Sequence, residues 1–286
     1  MRIPLTTPLD LADTLDAGQA FRWTTDGVWW RGILGQTALK LRVDGSYLEL
    51  LSASLPEDMA LPLVVRYLAL NQDYSSGHAP LREDPYLAAA MDRFPGVRIL
   101  RQDPWECFVG FICSAECSIV RIRRMMRALS TAYGHPIPFE GDTLYLFPSP
   151  AALAGAGEQS LRDLGLGFRA KAVAAAAERV ASGTLGLEPL RTLPYDDARA
   201  ALMALPGVGP KIADCVLLFS LDHGQAFPLD RWVRRALFRV YGLAEKTPDR
   251  ALVAWARERF GPHAGYAQQL LFHAERARGR NVLTPA

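Results

Sequence analysis

Residues 205–230, LPGVGPKIADCVLLFSLDHGQAFPLD, constrain the fold of this chain more than any other stretch. Pro206, Gly207, Gly209 and Pro210 exclude regular structure up to Lys211. Pro210 suits a first helical position, where its fixed φ and missing N–H cost nothing. The spacing of Ile212, Cys215, Val216 and Phe219 then predicts an apolar helix. A glycine turn feeding a helix leaves the N–H groups of Gly207, Val208 and Gly209 outward, an anion site suited to phosphate. The far end, FPLD followed by RWVRRAL, reads as an Asp N-cap opening an amphipathic helix. The pattern alone also fits a plain helix–turn–helix packing unit with a capping Asp.

Residue choice sharpens the reading. Among 32 Lys and Arg, only Lys40, Lys171, Lys211 and Lys246 are lysine. Arg stays charged and is no nucleophile, whereas a desolvated Lys can lose its proton. Lys at the mouth of this hairpin therefore points to a required amine. Lys211 and Asp230 stand nineteen residues apart, each at the start of its own helix. They meet only if the intervening loop doubles back.

LPGVGPKIADC, with PLD ending nineteen residues after the lysine, resembles the helix–hairpin–helix DNA glycosylase superfamily, with its Gly/Pro-rich loop and catalytic Asp. Within it the chain is similar to the eukaryotic-type 8-oxoguanine DNA glycosylase/AP lyases. The resemblance extends to AGQAFRW at 17–23, DPWECFVGFICS at 103–114, FPSPAALA at 147–154, LGLGFRAK at 164–171 and GYAQQLLFHA at 265–274. It implies an α+β fold, mostly α: an N-terminal antiparallel sheet domain over 1–100, then helical glycosylase domains over 101–286. The helix–hairpin–helix falls at about 194–241.

At 286 residues the chain can bury a large core and hold two or three subdomains. Its net charge of +2 is weak, so DNA binding must rest on local patches. No charge-free apolar run is long enough to span a membrane, and the first 18 residues lack a signal-peptide core. A prokaryotic, cytoplasmic, monomeric protein is expected. Cys107, Cys113, Cys117 and Cys215 form neither a disulfide framework nor C-x-x-C spacing, and Cys107, Cys113 and Cys117 read as core thiols. With no Cys beyond 215, the iron–sulfur cluster of the endonuclease III branch is excluded. The five His form no ligand motif, so no metal is expected. No cofactor is required, although a structural monovalent or divalent cation on hairpin carbonyls fits the family.

In chain order, Asp26-Gly27 and Asp44-Gly45 between alternating runs (21–24 with 28–34, 39–43 with 47–51) predict hairpins of an antiparallel sheet. Helices are predicted at 56–74, 84–94, 103–114, 118–133, 195–204, 231–241, 248–260 and 263–278, with Ala-rich helices in 147–183. In 118–133 the apolar face leaves Arg121, Arg123, Arg124 and Arg127 partly outward.

The resemblance assigns roles to single residues. The Gly18 carbonyl accepts from the N7–H that distinguishes 8-oxoguanine from guanine; from the residues alone Gly18 merely starts the sheet. Gln268 reads the Watson–Crick edge, Phe272 and Cys215 cover the two faces of the flipped base, and Phe219 joins the pocket. Arg121, Phe168 and Arg169 address the opposite base, and Trp232 joins the hairpin at the DNA. Glu116 departs from the family, where Asn stands. A carboxylate accepts but cannot donate, so opposite-base selectivity is expected to be reshaped.

The implied partner is duplex DNA carrying oxidised guanine. Its lesion must be flipped out and the gap wedged. Lys211, desolvated in the cleft, attacks C1′, while Asp230 stays ionised and stabilises the oxocarbenium-like charge. A Schiff base and β-elimination follow. A monofunctional alkylated-base glycosylase would share Asp230 without needing Lys211. A non-catalytic hairpin module would need neither, nor the matched segments at 17–23 and 265–274.

Overall fold

The computed structural model describes residues 1–283. Its N-terminal part is a five-stranded antiparallel sheet, ordered β1-β5-β4-β3-β2. The strands are β1 (Arg2–Pro4), β2 (Thr24–Thr25), β3 (Trp30–Leu34), β4 (Thr37–Asp44) and β5 (Tyr47–Ser52), with α1 (Leu11–Leu15) after β1. Asp44-Gly45 turns β4 into β5, with Asp44 opposite Tyr47. Leu39, Leu41, Leu48 and Leu50 bury the inner face against Ala60, Val64 and Leu68. The predicted strand over 21–24 does not form, and only Thr24–Thr25 pairs. Phe21 and Trp23 are both core residues, and the Trp23 indole donates to the Tyr67 hydroxyl at 2.8 Å.

Helices follow: α2 (Glu57–Tyr67), α3 (Tyr74–Gly77), α4 (Pro85–Arg93), α5 (Pro104–Cys113) and α6 (Ile119–Tyr133). The predicted helix over 56–74 stops at Tyr67, and Ala69 turns the chain with φ +49°. α4, α5 and α6 start on the side-chain caps Asp84, Asp103 and Ser118. A hairpin of β6 (Pro136–Phe139) and β7 (Asp142–Tyr145) comes next. Its Glu140-Gly141 turn has positive φ at both residues and lacks the Asn-Gly or Asp-Gly signature.

The Ala-rich region divides into α7 (Pro150–Leu161) and α8 (Arg169–Ala181), broken where Gly165 and Gly167 adopt positive φ. The remaining helices are α9 (Tyr195–Met203), α10 (Pro210–Ser220), α11 (Arg231–Tyr241), α12 (Asp249–Phe260) and α13 (Ala264–Leu283). One apolar core joins α5, α6, α8, α9 and α10, and a second joins α4, α11, α12 and α13. These two cores meet where α13 crosses α10. A Cβ at Gly265 would lie 2.2 Å from Leu218 Cδ1 and 3.0 and 3.1 Å from the Gly224 and Ala226 carbonyls, so glycine lets α13 start this close to α10 without displacing its neighbours. That approach, with Gly265 N–H donating to Gly224 O at 2.8 Å, sets where Gln268 and Phe272 fall.

Candidate active site

Lys211 occupies the first turn of α10, after Gly209 as N-cap and Pro210 as first helical residue. Its ammonium donates to Ser114 Oγ at 2.9 Å and sits 5.4 Å from the centre of the Phe111 ring. Ser114 in turn donates to the Phe111 carbonyl at 2.7 Å, so its lone pairs are turned toward the lysine. Lys211 is half-buried, not withdrawn from solvent as the sequence suggests. It stands at the mouth of a cavity, and a substrate covering that mouth would complete its desolvation.

Asp230 faces the same cavity from the N-cap of α11. Its Oδ1 accepts from the N–H groups of Trp232 at 2.9 Å and Val233 at 2.8 Å. The helix start alone predicts a carboxylate held firmly ionised. Burial outweighs it and pushes the Asp230 carboxyl above the usual range, while the Val233 N–H, the Lys211 charge and the Trp232 N–H pull it back. The loop between the helices does double back, with Asp222 in the left-handed region at φ +61°. Asp214, fully buried one turn below Lys211, accepts from the Tyr195 hydroxyl at 2.6 Å and Arg199 Nε at 2.8 Å. These bonds lock α10 onto α9 and fix where Lys211 emerges.

The cavity gathers Lys211, Asp230, Gly18, Cys215, Phe219, Gln268 and Phe272, brought from four separate parts of the chain. Ala17, Phe111, Pro228 and Gln269 complete it. Gly18 is not in the sheet. It sits in the loop after α1 at φ +80°, where a side chain would be strained and would meet Ile119 and Phe272. The adjoining Gln19 pins that loop: its amide donates to Arg98 O at 2.8 Å and accepts from Leu100 N–H at 3.0 Å. Gln102 donates to the Gln19 carbonyl at 2.9 Å. Burial pushes the Cys215 thiol up to about 12, so it presents a neutral, soft wall. Phe111 stacks on Phe219 with centroids 5.6 Å apart. Gln268 is only 4 % exposed, and its Oε1 is buried with no partner among the described residues. Buried acceptors are rarely left unpaired, so this one points to a donor on a ligand. A larger cavity of about 490 Å³ between the sheet and α5 is lined by Arg22 and Glu106, which bond to each other, and holds neither Lys211 nor Asp230.

The hairpin and the rim divide differently from the expectation. Among the described residues the N–H groups of Gly207 and Gly209 meet no partner, but Val208 N–H donates to Leu205 O at 3.2 Å. Val208 thus contributes a buried side chain, not an anion donor. Trp232 lies half-buried between the Arg231 and Arg235 guanidiniums, 5.2 and 5.1 Å from its ring. Arg121, Arg124 and Arg127 are exposed, whereas Arg123 pairs with Asp16. Phe168 is 58 % exposed, an apolar side chain standing in water. Arg169, beside it, is only 3 % exposed and does not reach outward. Its guanidinium donates to the carbonyls of Ala115 and Glu116 and lies 4.3 Å from the Phe168 ring. Glu116 projects from this braced turn in the left-handed region, φ +47°.

Sequence reasoning did not single out Phe111, Ser114 or Gln269. Phe111 and Ser114 lie inside a recognised segment, but nothing in their spacing shows that the end of α5 meets α10. All four cysteines are free, and Cys107 and Cys113 are core thiols. Among the described residues no three His, Cys, Asp or Glu cluster as metal ligands, and no helix is long and apolar enough to cross a membrane.

A lysine and a carboxylate at two helix starts, flanking a pocket walled by Phe111, Phe219 and Phe272, define a helix–hairpin–helix base-excision site. Residues 109–259 match the family model described as "HhH-GPD superfamily base excision DNA repair protein", and residues 2–108 that of the "8-oxoguanine DNA glycosylase, N-terminal domain". The chain belongs to the 8-oxoguanine DNA glycosylase family. It is 34% identical to an N-glycosylase/DNA lyase of Arabidopsis thaliana, across 94% of this chain and 78% of that protein. It is 36% identical to a probable N-glycosylase/DNA lyase of Methanothermobacter thermautotrophicus, across 68% and 69%. The structure of Clostridium acetobutylicum 8-oxoguanine glycosylase/lyase, in complex with dsDNA containing cytosine opposite 8-oxoG, superposes with a TM-score of 0.90 at 31% identity, covering 98% of both chains.

Proposed function

We propose that this protein is a bifunctional DNA glycosylase/AP lyase that removes 8-oxoguanine from duplex DNA in base excision repair. The observation that carries this reading is the single cavity holding Lys211, Asp230 and the unpartnered Oε1 of Gln268. A flipped base would stack on Phe272 against Cys215 and give its Watson–Crick donors to Gln268. The Gly18 carbonyl would accept from N7–H.

Lys211 Nζ, once it has given up a proton, bonds to C1′ as the C1′–N9 bond breaks and the base leaves with the bonding pair. Asp230 stabilises the positive charge that develops at the sugar. Ring opening gives the Schiff base. Loss of a C2′ proton then expels the 3′ phosphate oxygen and nicks the strand. Gly207 and Gly209 would hold a backbone phosphate, aided by Arg231 and Arg235, and fix register without reading sequence. Glu116, Arg121 and Phe168 would fill the gap and face the opposite base, with Arg169 acting behind them. A monomer suffices for this chemistry. Any cation at the hairpin would rest on main-chain carbonyls and take no part in the reaction.

The test is borohydride trapping on a labelled duplex carrying 8-oxoguanine opposite each of the four bases, with wild type and Lys211→Gln side by side. A covalent adduct is expected with wild type alone. An undiminished adduct with Lys211→Gln removes Lys211 as the nucleophile. Duplex binding without adduct in any wild-type lane removes the bifunctional reading.

A further inference from the structure

We propose that Gln269 is a second base-reading amide, one that donates to the C8 carbonyl of 8-oxoguanine. The inference rests on the function proposed above and adds a specificity contact to it. Gln269 is 2 % exposed and lines the reaction cavity. Its Nε2 is buried with no hydrogen-bond partner among the described residues. A buried amide donor left unpaired costs free energy in the unliganded protein, and a ligand carbonyl would satisfy it. Gln268, its neighbour in sequence, carries the complementary orphan, an acceptor.

The two amides cannot serve the same edge of a base. At about 100° per residue, Gln268 lies about 40° to one side of Phe272 on α13, and Gln269 about 60° to the other. With Phe272 beneath the flipped base, the two side chains flank opposite edges of it. The contacts of α13 show which edge faces Gln269. Arg276 and His273 fall on the Gln269 side of Phe272 by the same period. Arg276 Nη1 donates to Asp16 O at 2.8 Å, and His273 Nδ1 lies 3.9 Å from Asp13 Oδ1. The segment running from Asp13 to Gly18 therefore packs along that side. Gln269 stands beside the Gly18 loop, and Gln268 stands away from it.

The edge next to Gly18 is the one that oxidation changes. In 8-oxoguanine it presents N7–H, a donor, and C8=O, an acceptor. The Gly18 carbonyl takes the donor. The remaining acceptor is the complement of Gln269 Nε2. Guanine offers only a C–H at C8, so the amide donor finds no partner at that atom. A site that must leave a buried polar group unpaired rejects the ligand that leaves it so. Gln269 thereby adds to lesion discrimination by a contact separate from the one made by Gly18.

The experiment compares wild type, Gln269→Ala and the isosteric Gln269→Glu. The probes are two duplexes with a non-excisable 2′-fluoro nucleotide opposite cytosine, one bearing 8-oxoguanine and one guanine. A third duplex carries a natural abasic site. Wild type binds the 8-oxoguanine duplex in preference, and failure of that preference overturns the proposed function itself. Both variants are expected to lose about tenfold of the preference, the size of one buried hydrogen bond to a base. Nicking of the abasic duplex, which has no base to read, should fall by far less than the base preference does, and a Tm within a few degrees of wild type shows that the fold is intact. Unchanged preference in Gln269→Ala overturns the inference. Equal weakening on both base-bearing duplexes also overturns it, because Gln269 would then only shape the pocket.

Discussion

Asp230 has two jobs that a pair of substitutions separates. Its Oδ1 accepts two N–H bonds at the start of α11, and its charge faces the cavity beside Lys211. Asn offers the same carbonyl oxygen at an N-cap and Ala offers none. Asp230→Ala should therefore cost about 1 kcal/mol of stability, the usual worth of a cap. In a chain of this size that is a fall in Tm of about 2–4 °C. Asp230→Asn keeps the cap and removes a buried charge. Because burial raises the Asp230 carboxyl in the folded state, its protonated form is favoured there. Its stabilising contribution is thus full below the unfolded value near 3.8 and is lost as pH rises through the raised folded value. At pH 7.5 the ionised carboxylate is a liability that Asn removes, so Asp230→Asn should melt at or above wild type, and the gain should shrink toward pH 4. Both variants should lose about 10²–10³ in single-turnover base excision, the range for removing one electrostatic stabiliser of a transition state. Thermal melts at the two pH values, with excision rates alongside, decide the matter. If Asp230→Asn melts as low as Asp230→Ala at pH 7.5, burial does not dominate the carboxyl. If it excises at the wild-type rate, the charge has no catalytic role.

Ser114→Ala removes the hydroxyl that holds Lys211, and borohydride trapping should slow by about 3- to 30-fold, with Tm within a few degrees of wild type. Arg169→Ala should cost about 2–3 kcal/mol in denaturant unfolding, because it strands the Ala115 and Glu116 carbonyls in a half-buried turn. A rim arginine that only touched DNA would show no such loss. Arg231→Ala and Arg235→Ala should each lower the slope of log K against log salt by about 0.9 for duplex binding, without changing lesion preference.

The hairpin and the reaction centre were legible because their signals are local. Gly-Pro-Gly before Lys211 and the Asp cap at 230 act within a few residues, and Gly242 and Gly261 end α11 and α12 where punctuation predicts. The pocket from Gly18 to Phe272 was legible only through the resemblance, since no periodicity links the loop after α1 to α13. What escaped was tertiary. The stretch 21–24 alternates like a strand, yet Phe21 and Trp23 both turn inward and leave the sheet to Thr24–Thr25. Glu140-Gly141 makes a tight hairpin turn with no Asn or Asp before its glycine, so β6 and β7 went unseen. Arg169 next to an exposed Phe168 reads as a pair reaching outward, but helix α8 turns the arginine under the turn that follows α5. The helix start at Asp230 favours a lowered pKa, and burial, which no local pattern reports, turns the shift upward.

The turn between α5 and α6 ties these observations together. Ser114 holds the Lys211 ammonium, Ala115 and Glu116 receive Arg169, Glu116 projects at positive φ, and Ser118 caps α6. Four residues within a five-residue stretch thus brace both the proposed nucleophile and the group that would fill the gap left by the flipped base. Wedge and nucleophile then cannot shift independently, because a displacement of Glu116 travels through two peptide units to the hydroxyl at Lys211. Glu116→Asn tests this coupling. Asn tolerates the left-handed conformation better than Glu, so the turn should hold and trapping through Lys211 should persist. Asn also restores a donor at the opposite base, so the ranking of the four opposite bases should change. Glu116→Pro cannot adopt a positive φ and should disturb the turn itself. It should slow trapping even on an abasic duplex, where no base needs flipping out. If Glu116→Pro leaves abasic trapping at the wild-type rate, Ser114 and Glu116 are not mechanically linked, and the turn serves each side of the DNA separately.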